Sequence, residues 1–175
     1  MSDFLFKICI FGDGGVGKTT LINRYLTGNF EIGSKMTIGV DFMLKKLDLD
    51  GNSVTLQLWD LAGEDRFRSL MPGYVSGADG GLFMYDITRV SSLKNLTNWL
   101  DTMREISDQK DRNIPILMVG GKLDLAAKRA FPRIDAEFVA NINKFKGLIE
   151  CSAKTGENVE EVFLTIARLM MSKQE

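Results

Sequence analysis

Apolar positions along the chain follow two rhythms that exchange places. Phe4 to Phe11 is a nearly continuous apolar run, as expected of a central strand in a parallel sheet. A glycine-rich turn follows at Gly12 to Gly17, and a helix is predicted over Lys18 to Thr27. Residues 28 to 39 carry no period and read as a loop. Val40 to Leu49 alternates through Phe42, Leu44, Leu47 and Leu49, and Ser53 to Trp59 through Val54, Leu56 and Leu58. Asp50-Gly51-Asn52 between them is a hairpin signal. Asp60 to Pro72 is polar and irregular, and Ala78 to Tyr85 is the next buried strand. Ser91-Ser92 can cap a helix carrying Leu93, Leu96, Trp99, Leu100 and Met103 at helical spacing, a stripe read as core. Ile114 to Val119 reads as a strand, Asp135 to Phe145 as a helix and Leu148 to Cys151 as a strand. Asn158 to Met171 closes the chain as a helix with Val159, Val162, Phe163, Ile166 and Leu169 on one face.

After one hairpin, strand and helix alternate. That order predicts an α/β fold, a doubly wound six-stranded sheet that is mostly parallel with one antiparallel strand and helices on both faces. No linker, repeat or low-complexity tract interrupts the pattern. The 175 residues are therefore expected to form one domain over 1–175.

Composition narrows the chemistry. The chain has no histidine, so no Ser-His-Asp or Cys-His nucleophile and no histidine zinc site is available. Chemistry must run on carboxylates, hydroxyls, lysines, backbone amides, an oxygen-held metal or the two cysteines. Twenty-two Lys and Arg stand against 23 Asp and Glu, a net charge of -1. That balance argues against a nucleic-acid-coating protein, and no nucleic-acid partner is expected. Cys9 and Cys151 lie far apart in apolar strand-like contexts and read as reduced buried thiols of a cytoplasmic protein. The N-terminus enters a strand pattern with no secretory core, and no run approaches the ~18 apolar residues of a membrane span. Ser172-Lys173-Gln174-Glu175 holds no cysteine for a prenyl chain, which leaves membrane association open. A monomer is expected.

Gly12-Asp13-Gly14-Gly15-Val16-Gly17-Lys18-Thr19 matches the pattern G-x-x-x-x-G-K-[ST] between a buried strand and a helix. Glycines let backbone N–H groups converge on phosphate oxygens, and the helix N-terminus adds its dipole. Lys18 supplies a point charge for β- and γ-phosphates, and the Thr19 hydroxyl suits a Mg²⁺ ligand. The motif alone leaves ATPases, kinases and GTPases open.

Further segments narrow the choice. Thr37-Ile38-Gly39-Val40-Asp41-Phe42 lies after the first helix. Trp59-Asp60-Leu61-Ala62-Gly63-Glu64-Asp65-Arg66-Phe67 follows the third strand. Gly120-Gly121-Lys122-Leu123-Asp124 and Glu150-Cys151-Ser152-Ala153-Lys154 follow the fifth and sixth. With the P-loop, these resemble the small GTPases of the Ras superfamily over essentially the whole chain. Tyr85-Asp86-Ile87-Thr88 and the first two segments are most similar to the Rab family.

The resemblance implies a P-loop NTPase G domain that binds GTP or GDP with Mg²⁺ and hydrolyses GTP, a switch of signalling and vesicle trafficking. Asp13, Gly14, Gly15, Val16, Gly17, Lys18, Thr19 and Thr20 would wrap the phosphates. Thr19, Thr37 and Asp60 would serve the metal, Asp60 through a water. The Thr37 and Gly63 N–H groups would reach the γ-phosphate. Asp124 would read guanine N1–H and the exocyclic amine, with Lys122 along the base, Phe30 on its edge and Ser152-Ala153-Lys154 completing the pocket. Effectors, exchange factors and activating proteins would meet residues near 30–42 and 60–75. Phe42, Trp59 and Tyr74 fall at the spacings of the Rab aromatic triad; from the sequence, a partner surface and core filling both remain open.

Two positions depart from the family. The usual N-K-x-D reads Gly121-Lys122-Leu123-Asp124, which removes the asparagine that bonds guanine N7 and ties this loop to the P-loop. Weaker nucleotide affinity and faster exchange are expected, with guanine preference kept by Asp124. The usual catalytic glutamine is Glu64, which accepts a hydrogen bond but cannot donate one when ionised. Slow hydrolysis is one reading; Glu64 as a base or displaced by a partner's residue is another; a solvated loop glutamate is the third. Gly14 leaves room for an arginine finger, and Ser34 replaces a common aromatic, which points to an open loop. A binding module with negligible hydrolysis and an ATP-dependent kinase are the rival functions.

Overall fold

The computed structural model describes residues 3–33, 35–108 and 113–174. Its strands are β1 Asp3–Phe11, β2 Val40–Leu49, β3 Asn52–Leu61, β4 Gly80–Asp86, β5 Ile116–Gly121 and β6 Leu148–Glu150. Its helices are α1 Lys18–Thr27, α2 Met71–Val75, α3 Leu96–Asp108, α4 Arg133–Ile142 and α5 Val159–Met171. The strands form one sheet in the order β2-β3-β1-β4-β5-β6. Only β2 runs antiparallel, pairing Val40 with Leu61 and Leu49 with Asn52 across the predicted hairpin. The α/β architecture read from the alternation is the one observed.

Two cores flank the sheet. On one face Leu21 and Ile22 of α1 and Val162, Phe163 and Ile166 of α5 cover Ile8, Ile10, Leu56 and Leu58. Tyr25 stacks on Phe163 with ring centroids 4.0 Å apart. On the other face Met71 and Val75 of α2, Trp99, Leu100 and Met103 of α3, and Ala136 and Ala140 of α4 cover Phe11, Phe83 and Met118. Cys9 and Cys151 are buried and free, and burial raises each thiol to about 12, so both are inert at neutral pH.

After β1 the chain builds β2 and β3 on one side of it and then crosses to β4 on the other. A crevice therefore opens beyond the carboxyl ends of these strands, where open α/β sheets bind ligands.

Two local expectations change. The polar stretch 60–72 is more ordered than its composition implies: β3 runs on to Leu61, a 3₁₀ turn covers Asp65–Leu70 and α2 follows. Ser91-Ser92 does not cap α3, which starts at Leu96. The buried Ser92 sits in a separate 3₁₀ turn, where its hydroxyl accepts from the Asp86 N–H at 3.0 Å and donates to the Arg89 carbonyl at 2.7 Å. That hydroxyl serves the end of β4, and short polar side chains bond local backbone in just this way.

Candidate functional site

The turn after β1 wraps the base of a cleft of about 540 Å³. Gly12 adopts φ +140°, and a Cβ there would lie 2.2 Å from the Met84 carbonyl oxygen, so only glycine lets this turn rest on β4. Lys18 begins α1 and is 6% exposed. Its ammonium donates to the carbonyls of Gly12 at 2.7 Å and Asp13 at 2.9 Å. Burial lowers its pKa to about 8 against the opposing charges of Asp60 and Asp13.

Thr19, Thr37 and Asp60 meet at one end of the cleft. The two hydroxyl oxygens lie 2.7 Å apart, Thr19 donates to Asp60 Oδ2 at 2.5 Å, and Thr37 approaches the same oxygen at 3.4 Å. Asp60 is fully buried and its Oδ1 has no hydrogen-bond partner. Burial raises its pKa, while the Thr19 bond and the Lys18 charge pull the other way. An unpartnered buried carboxylate oxygen beside two hydroxyls is a hard-oxygen set that fits Mg²⁺ with retained waters. Among the described residues no cluster of three His, Cys, Asp or Glu offers an alternative metal site.

Gly14, Gly15, Val16, Gly17, Lys18, Thr19, Thr20, Phe30, Thr37, Gly63, Glu64, Lys122, Asp124, Ala153 and Lys154 all line the cleft. A Cβ on Gly63 would lie 2.3 Å from the Gly14 nitrogen, so this loop touches the P-loop backbone and no larger residue fits. The space above Gly14 is open. Glu64 is ion-paired with Arg66, whose guanidinium also lies 4.7 Å from the Phe67 ring. At the far end Asp124 Oδ1 accepts from the buried Ser152 hydroxyl at 2.7 Å. Lys122, at φ +67°, donates to the Gly15 carbonyl at 3.1 Å and pairs with Asp86 at 2.7 Å. The link between this loop and the P-loop, expected to be missing with the asparagine, is thus made by Lys122.

Three predicted residues do not line the cleft. Asp60 stands behind its threonines and Ser152 behind Asp124. The Asp13 carboxylate turns under the loop, where Trp99 Nε1 donates to it at 2.9 Å and Asn95 Nδ2 at 3.3 Å. Sequence reasoning missed Trp99 and Asn95 as supports of the P-loop, and it also missed Met84 and Leu125, which line the cleft. Helical spacing marks Trp99 as apolar core but carries no sign of where its N–H points. Arg89, also missed, donates to the Gly14 carbonyl at 3.0 Å.

The aromatic triad is contiguous. Phe42 meets Trp59 edge-on at 5.1 Å and Trp59 meets Tyr74 at 6.2 Å. Phe42 is 48% exposed, and Ile38, four residues earlier, is 75% exposed. Of the triad Phe42 is exposed, while Trp59 and Tyr74 are partly buried and pack against the core beneath them, so the group joins surface to core. Ser34 lies outside the described residues.

The sequence profile of the Ras family matches residues 7–172. The chain is 43% identical over 162 residues to the Ras-related protein Rab-11C of Dictyostelium discoideum, covering 93% of this chain and 70% of that protein. It is 42% identical over 173 residues to the Ras-related protein Rab-4A of Homo sapiens, covering 99% and 78%. It is 42% identical over 167 residues to the Ras-related protein RAB1BV of Beta vulgaris, covering 95% and 76%. Fold, P-loop site and these likenesses agree: the chain belongs to the Ras family of GTP-binding switch proteins and is Rab-like within it.

Proposed function

We propose that this chain is a guanine-nucleotide switch whose intrinsic GTP hydrolysis is slow. The observation that carries the reading is the convergence of Lys18, Thr19, Thr37 and Asp60 at one end of a cleft whose other end presents Asp124 braced by Ser152. Phosphates would bind against Lys18 and the amides from Asp13 to Thr20. Guanine would bind between Asp124, Lys122, Phe30 and the Ala153-Lys154 backbone. An adenine would not offer Asp124 the paired donors of guanine and would leave the carboxylate with only its bond from Ser152, which is costly for a fixed acceptor. Thr19 and Thr37 would hold Mg²⁺ directly and Asp60 through water, and the ion when bound neutralises charge on the β- and γ-phosphates. Thr37 and Gly63 would each present an N–H to the γ-phosphate, so its loss would release both loops. Exchange factors, activators and effectors would read the change on residues near 30–42 and 60–75, where Phe42 of the aromatic triad is exposed. Among the described residues no helix is long and apolar enough to cross a membrane.

Turnover depends on Glu64. Its carboxylate accepts from water but offers the phosphate no donor, and its ion pair with Arg66 occupies an oxygen that would orient that water. The same ion pair favours the second reading, a GTP-binding module with negligible hydrolysis. Single-turnover hydrolysis of preloaded GTP tests both. Glu64→Gln is expected to hydrolyse about tenfold faster, the worth of one positioned hydrogen bond. A variant no faster than wild type overturns the role given to Glu64. Wild-type hydrolysis no faster than the loss of GTP in buffer establishes the module.

A further inference from the structure

The space beside Gly121 is filled. A Cβ built on Gly121 would lie 2.6 Å from the Met84 Cε methyl, 3.1 Å from the Val16 carbonyl oxygen and 3.5 Å from the Tyr85 carbonyl oxygen. The same methyl lies 3.7 Å from where a Gly17 Cβ would stand. Met84 leaves β4 on the face that meets the P-loop, is 2% exposed, and still contributes to the lining of the cleft. Its terminal methyl is therefore wedged between the P-loop and the end of β5. Gly121 keeps an ordinary negative-φ backbone, so strain does not demand glycine there. Space does.

We propose that Met84 and Gly121 act as a pair that replaces the asparagine at the base site. The Met84 methyl fills by packing the space beside the P-loop that the asparagine side chain would need, while Lys122 keeps the polar tie to the Gly15 carbonyl, and the base is left without a side-chain donor to N7. Methionine suits the task because an unbranched, flexible thioether fills an irregular gap. Asp124 is then the one side chain that hydrogen-bonds the polar edge of the base. The two residues are positioning and specificity residues for the nucleotide, and this role rests on the guanine-binding reading above.

The test has two arms on four proteins: wild type, Gly121→Asn, Met84→Val and the double variant. The first arm follows urea unfolding without added nucleotide. Gly121→Asn alone should be destabilised by the clash, and Met84→Val, which lacks the reaching methyl, should relieve it. Equal effects of Gly121→Asn in both backgrounds overturn the pairing. This arm needs no guanine binding, so it stands even if that reading fails.

The second arm measures competition between GDP and its 7-deaza analogue, which lacks the N7 acceptor. Wild type should bind both within about twofold, and the double variant should prefer GDP by roughly three- to tenfold, the range of one hydrogen bond. A wild-type preference for GDP as large as that of the double variant overturns the proposal. Failure of either nucleotide to bind wild type instead overturns the guanine-binding reading.

Discussion

Replacing Trp99 by phenylalanine removes one polar atom from beneath the P-loop while keeping an aromatic ring in place. In the wild type the indole N–H donates to Asp13 Oδ1 at 2.9 Å, from a side chain only 1% exposed. Asn95 Nδ2 reaches the same carboxylate at 3.3 and 3.4 Å, too long to substitute fully. A hydrogen bond to a charged acceptor contributes about 1.5–3 kcal/mol, and the smaller ring adds roughly 1 kcal/mol of lost packing against Phe11. The ring faces, 6.0 Å from Phe11 and 5.2 Å from the Arg68 guanidinium, are approximately kept. Trp99→Phe should therefore destabilise by roughly 2–4 kcal/mol. Packing and hydrogen bonding are separated by a double-mutant cycle with Asp13→Ala, followed by circular dichroism in urea. The coupling between the two sites should be about 1–2 kcal/mol. Because Asp13 also presents its carbonyl to Lys18 at 2.9 Å, Trp99→Phe should speed nucleotide release as well. A coupling below about 0.5 kcal/mol would refute the claim that the α3 indole anchors the P-loop.

Two further outcomes follow from buried charges. Burial opposes the charge on Asp86, yet the bonds from Lys122 and from the Thr88 hydroxyl and N–H outweigh it and hold its pKa below the usual 3.8. A depressed carboxyl stabilises the fold above its unfolded pKa and loses that contribution as pH falls through its folded one. Wild type should thus lose stability below about pH 4 more steeply than Asp86→Asn in acid-dependent urea unfolding, and parallel curves would sink the assignment. Arg129 holds the buried Glu150 through two bonds of 2.7 and 2.8 Å. Arg129→Met strands that carboxylate and should cost about 2–4 kcal/mol in the same assay, discounted because Arg129 is partly exposed; a loss under 1 kcal/mol would show that water rescues it.

Much of the molecule is legible in its residue order because the requirements are local. Buried strands, helix stripes and the Asp50-Gly51-Asn52 hairpin repeat or turn within a few residues, so β2, α1 and α5 fall where the periodicity places them. Element ends are less legible. Helix α4 stops at Ile142, short of Phe145, because the chain leaves the helix at Asn143 and Lys144 turns to φ +59°. The P-loop was readable for the same local reason, since Gly12 and the glycines after it answer to the backbone of that one turn.

What the sequence determined by itself is the α/β class, the phosphate turn, and the residue types able to meet phosphate, magnesium and guanine. The tertiary structure alone decided which distant atoms share a partner. Asp60 meets Thr19 and Thr37 across 41 and 23 residues, Trp99 reaches Asp13 across 86, and the Met84 methyl occupies the space beside Gly121. A hydrophobic period records that a side chain is buried. It does not record where its polar end or its last methyl points, because that is set by packing between elements that sequence order leaves apart.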